Sequence, residues 1–105
     1  MSEVVLAGKK VAVNEEGFLA DAAAWTREVG EALAESAGVK LTAEHWKVID
    51  AARADAASNG GEAPGLRRIT QVSGVSTKDL YRLFPKGPGK LAARIAGLPK
   101  PKSCL

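Results

Sequence analysis

The chain has little of what surface chemistry usually requires. Its 105 residues contain one cysteine, one histidine, one methionine and one tyrosine. A single cysteine excludes an internal disulfide. His45 stands alone, far in sequence from the cysteine, so no metal-ligand spacing exists and no metal site is expected. There is no G-x-S-x-G elbow and no paired-carboxylate pattern, and Gly87-Pro88-Gly89-Lys90 lacks the spacing of a phosphate-binding loop. No apolar run approaches the roughly 18 residues of a membrane span. Met1-Ser2-Glu3 is acidic and Val4-Val5-Leu6-Ala7 is too short for a secretory leader. A free thiol without a partner suits a reducing compartment, so the expected location is cytoplasmic.

What is present is an alanine-rich chain, 46% hydrophobic, sufficient for one domain over residues 1–105 with a modest core. Val4–Leu6 and the alternation around Val11 and Val13, separated at Ala7-Gly8, predict a hairpin. Asn14–Gly17 reads as a turn without chemistry, and Phe18-Leu19 as a third short strand. Asp21 is the candidate cap of a helix of about 15 residues, with Trp25, Val29, Ala32 and Leu33 on one face and Gly38 as its stop. Thr42 caps the next helix, with Leu41 and Trp46 as a hydrophobic staple and Ile49, Ala52 and Ala56 continuing the buried face. His45, in its first turn, is expected to be structural or solvated, and both tryptophans are expected to be core anchors. Pro64 is placed as the opening of a short helix carrying Leu66, Ile69 and Val72 that stops at Gly74. Ser76 caps another, with Asp79 as its capping-box partner and Pro85 as its end. Pro88 opens the last, with Leu91, Ile95 and Leu98 inward. The fold class is therefore α+β: a small amino-terminal hairpin or meander packed on about five helices.

The last residues are of a different kind. Pro99-Lys100-Pro101-Lys102 cannot extend a helix or enter a central strand. Residues 99–105 read as an exposed, flexible arm, at most roughly 23–25 Å long when extended, and its penultimate residue is Cys104. Lysines beside a thiol favour the nucleophilic thiolate.

Tyr81-Arg82-Leu83-Phe84-Pro85-Lys86-Gly87-Pro88, then Ile95-Ala96-Gly97-Leu98-Pro99-Lys100-Pro101 and Cys104, resemble the carboxyl-terminal signature of the DsrC/TusE family of sulfur-carrier proteins. Asn14–Leu19, Trp25 and Leu41–Trp46 are similar to its amino-terminal half. The resemblance implies that Cys104 carries sulfur as a covalent persulfide, with no other cofactor. It implies a TusBCD-like or DsrEFH-like donor and a tRNA thiolase or a sulfite-reductase-type acceptor. The protein then acts as a sulfurtransferase-type carrier, and partner enzymes can supply the active site. Arg82, Lys86, Lys90, Arg94, Lys100 and Lys102 are the candidates for steering the arm and meeting partners. Family members that pair two of their own cysteines have the second one eleven positions before the penultimate one. Ala93 stands there in this chain, so it resembles the single-cysteine branch.

A second reading comes from residues 66–84, which resemble a helix-turn-helix of the TetR type, and DsrC-like folds also resemble winged-helix domains. From Lys78 onward seven lysines and arginines face one acid, Asp79, so this stretch carries +6, the chain +3 and the remainder −3. Lys86, Lys90 and Arg94 recur at four-residue spacing, which places them on one side of a helix. Such a stripe can meet nucleic acid or an acidic protein, or be a solvated face. A DNA-binding or thiol-based regulatory protein is therefore the alternative to a sulfur carrier, but the DNA reading leaves Cys104 without a role.

Overall fold

The computed structural model describes residues 2–85 and 87–100. Two strands, β1 (Ser2–Leu6) and β2 (Lys9–Val13), pair antiparallel, with Val4 opposite Val11 and Leu6 opposite Lys9. Ala7 (φ 54°) and Gly8 (φ 74°) both adopt positive φ, the backbone of a two-residue turn that matches strand twist. The expected third strand reduces to one isolated bridge, Val13 to Leu19. Asn14 shapes that connection: its side-chain oxygen accepts the amides of Glu16 (2.9 Å) and Phe18 (3.0 Å).

Helix α1 (Arg27–Ser36) begins later than the sequence suggested. Asp21 accepts from the Ala23 amide at 2.9 Å and holds only a short 3-10 turn over Ala22–Ala24, whereas Thr26 accepts from Val29 at 3.2 Å and is the true cap. The apolar spacing of Trp25, Val29, Ala32 and Leu33 fits either start, so periodicity alone could not separate them. The consequence is that Trp25 precedes the helix and turns inward. α1 ends as expected at Gly38 (φ 75°), with the Val39 amide on Ala34 O at 2.8 Å and the Gly38 amide on Glu35 O at 3.0 Å, the 6→1 and 5→2 pair of a Schellman cap.

Helix α2 (Ala43–Ser58) packs against α3 (Leu66–Ser73) and α5 (Pro88–Ile95), and α4 (Thr77–Leu83) completes the set. Pro64 does not start α3; Gly65 caps it. Ser76 caps α4 through the Asp79 amide at 3.2 Å, while the Asp79 carboxylate turns to Arg82 at 3.6 Å. Pro88 does occupy the first turn of α5. His45 is structural: Nδ1 accepts from the Thr42 amide at 3.1 Å and Nε2 lies 2.8 Å from the Leu83 carbonyl. That pattern requires the proton on Nε2, and the ring is buried edge-on against Phe84.

Two apolar clusters result. The larger joins Phe18, Ile49, Ile69, Leu80, Phe84 and Ile95, with Ala52, Ala92, Ala93 and Ala96 fully enclosed. These small side chains let α2 and α5 approach closely. The smaller packs Leu6, Val11, Val13 and Leu19 on Val29 and Leu33 of α1, and Trp25 packs against both.

Ala7 is the only described non-glycine residue at positive φ. Ala7→Asn, which tolerates that backbone, should raise stability by about 0.5–1 kcal/mol, read as a higher denaturation midpoint with unchanged m-value.

Candidate functional site at the root of the carboxyl-terminal arm

The end of α5 is tied from several directions. The Gly97 amide bonds to Arg94 O at 3.2 Å and the Leu98 amide to Ala93 O at 2.9 Å, a second Schellman cap, with Gly97 at φ 72° and Leu98 buried. Its last carbonyls are also taken. The Trp25 indole N–H donates to Ile95 O at 2.8 Å, and Arg53 donates to Ala96 O at 2.7 Å. The Arg53 guanidinium lies 4.2 Å over the Trp25 ring, and Trp46 meets that ring edge-on at 6.4 Å. Burial lowers the Arg53 pKa from its ordinary value, with nearby Asp50 opposing. Trp25 fits because two of its neighbours lack side chains. A Cβ on Gly97 would lie 2.6 Å from its Cγ, and one on Gly30 2.9 Å from its Cζ2.

Beyond this anchor the chain emerges beside the turn at residues 14–17. Glu16 bridges Lys90 of α5 (2.9 Å) and Lys100 of the arm (3.2 Å). Hydrogen bonds from Lys90 and then Lys100 hold its carboxyl below the ordinary glutamate pKa. Arg94 lies over Gly17, reaches Ser36 Oγ at 3.5 Å, and keeps a buried Nε with no acceptor among the described residues. Glu16, Phe18, Pro85, Lys90, Leu91 and Arg94 line a cleft of about 540 Å³ at this place.

The six basic candidates thus divide. Lys90, Arg94 and Lys100 gather at the arm root. Arg82 is on α4, held by Glu44 at 3.1 Å and by Asp79. Lys86, Lys102 and Cys104 lie outside the described residues. Of the expected stripe, Lys90 and Arg94 both lie in α5 at four-residue spacing. Glu16, Trp25 and Arg53 were not among the sequence candidates, since their roles arise from contacts 43 to 84 residues apart. Among the described residues, no three His, Cys, Asp or Glu side chains are placed to hold a metal ion, and no helix is long and apolar enough to cross a membrane.

α3 and α4 do form a helix-turn-helix, with Gly74 at φ 73° in the turn. Two of its arginines are engaged within the protein: Arg68 bonds the buried Asp55 through Nε (2.9 Å) and Nη2 (2.8 Å), and Arg82 faces two acids, while Arg67 is exposed. Nothing in this arrangement favours DNA binding.

Architecture and site together define a small α+β domain whose last helix is an anchored root for a cysteine-bearing terminal segment. The family model described as DsrC like protein matches residues 5–105, and the chain belongs to that family. The dissimilatory-type sulfite reductase subunit gamma of Nitratidesulfovibrio vulgaris is 41% identical over 106 residues, covering 100% of both chains. The sulfurtransferase TusE of Escherichia coli is 34% identical, covering 97% of this chain and 99% of its own. The crystal structure of the oxidized gamma-subunit of the dissimilatory sulfite reductase (DsrC) from Archaeoglobus fulgidus superimposes with a TM-score of 0.84 at 40% identity, covering 99% of this chain and 100% of that one.

Gly97→Ala combines a positive φ with a collision against Trp25 and should cost about 2–4 kcal/mol. Gly38→Ala has a similar φ (75°) but open space within 4 Å, and should cost only about 1 kcal/mol. Paired denaturation curves check the difference.

Proposed function

We propose that this protein is a sulfur-relay carrier that holds a persulfide on Cys104 and passes its outer sulfur to a partner protein. The observation that carries this reading is the match along the whole chain to a family that includes a sulfurtransferase and a sulfite reductase subunit. The anchored root supports it. Leu98 is fixed, and Cys104 follows six residues later, at most roughly 20–22 Å away. A tether of that length can take a thiol into a partner's active site without disturbing the body.

In loading, the Cys104 thiolate attacks the outer sulfur of a donor persulfide. The new Sγ–S bond forms as the donor S–S bond breaks, and the donor leaves as a thiolate with the electron pair. In delivery an acceptor nucleophile attacks that same outer sulfur and Cys104 departs as the thiolate. Neither step has net redox demand on the protein. Lys90, Arg94, Lys100 and Lys102 are proposed to stabilise the anionic sulfur and meet partners, and Lys86 and Arg82 to extend that surface.

Ala93, at the place of the second cysteine, is fully buried in α5. The carrier therefore exchanges sulfur with other proteins and closes no bridge of its own. That requirement fits a relay, such as tRNA thiolation, more closely than an acceptor step completed by an internal disulfide, and it fits a reducing cytoplasm.

Cys104→Ser should keep the wild-type melting temperature and gain no mass with a small-molecule persulfide, while the wild type gains one sulfur atom. Sulfur uptake that survives the substitution would overturn the assignment. Diamide oxidation of the wild type should give a disulfide-linked dimer, or a mixed disulfide when glutathione is present. A monomer with a blocked thiol and no adduct would contradict the single-thiol mechanism.

A further inference from the structure

We infer that Glu16 is a positioning residue for the arm: by bridging Lys90 and Lys100 it moves the pivot of the terminal segment from Leu98 to Lys100. This deepens the carrier reading and rests on it for its functional meaning.

The geometry is specific. Glu16 sits in a turn whose backbone is fixed by the Asn14 side chain and by the Gly17 amide on Asn14 O at 3.0 Å. Its two oxygens are divided, Oε2 to Lys90 and Oε1 to Lys100. Lys90 belongs to the rigid last helix and Lys100 to the segment leaving it, so one carboxylate joins arm to body. Without Glu16, Lys90 and Lys100 would lose the carboxylate that joins them.

The consequence is a change of reach. From Leu98, Cys104 is six residues away; from a latched Lys100 it is four, at most roughly 13–14 Å. The accessible volume falls with the cube of that length, about threefold, and the effective concentration of the thiol near the arm root rises to match. Exposed ion pairs of this kind shift a two-state population by about two- to fivefold. The latch is therefore set to open and close readily and does not lock the arm.

Among the described residues, the charged groups paired with Glu16 are Lys90 from α5 and Lys100 from the arm; Arg94 lines the same cleft and Glu15 precedes Glu16 in the turn. The folded-state pKa of Glu16 is depressed, so the latch is complete above the unfolded glutamate value and opens as pH falls through the lower folded value.

The test uses the full chain with a nitroxide on Cys104, followed by electron paramagnetic resonance. At neutral pH and low salt, Glu16→Gln should reduce the restricted fraction about threefold relative to wild type. Lys100→Gln should match it, and the double variant should add nothing further. Acid or 1 M salt, where the screening length is about 3 Å, should bring the wild type to the variant's spectrum and leave the variant unchanged. Equal spectra for wild type and Glu16→Gln, or an equal response of both to acid and salt, would overturn the latch. Sulfur uptake by unlabelled protein is scored separately. Uptake with unchanged label motion defeats the latch alone, whereas altered motion with no uptake defeats the carrier reading alone.

Discussion

One side chain, Trp25, connects nearly everything described above. Its ring packs against both apolar clusters, its N–H satisfies Ile95 O, and its face carries the Arg53 guanidinium. Removing such a group leaves a buried carbonyl unpaired as well as a cavity, and the two costs add. The enclosed residues of α2 and α5 include Ala52, Ala92 and Ala93, with Ala96 just after α5. The tryptophan supplies bulk where the sequence is otherwise small, and Gly30 and Gly97 supply the room.

That wedge has a direct bearing on function. Helix ends leave carbonyls to be satisfied, and at the end of α5 the solution draws on Trp25, just before α1, and Arg53 in the middle of α2. The last turn is thus fixed by long-range contacts, and Leu98 remains buried after the helix has stopped. A terminal segment that began at a frayed helix end would have no defined origin. Here it has one, and a basic cleft with one bridging acid lies beside it.

Much of this was legible in the sequence. Ser76, Gly38, Gly74, Pro88 and Gly97 mark their helix ends because capping and positive φ depend on local residue type. Alternating proline and lysine after Leu98 led to the expectation of an arm, of which residues 101–105 lie outside the described residues. The start of α1 was misread because Asp21 and Thr26 both satisfy local capping rules, and only the tertiary fit of Trp25 favours the second. Glu16 looked like an ordinary turn residue; its meaning depends on lysines 74 and 84 positions away, which no local pattern encodes. His45 showed no catalytic spacing, and its capping and core contacts account for both ring nitrogens.

The body of the domain fixes the root of the arm at the buried, hydrogen-bonded Leu98. Native-state hydrogen exchange at the Leu98 amide, bonded to Ala93 O, tests it most directly. Leu98 should exchange as slowly as the Ala96 amide inside the same cap, and Trp25→Phe should speed both together. A Leu98 amide that exchanges as fast as the exposed amide of Glu15, while Ala96 stays protected, would contradict it.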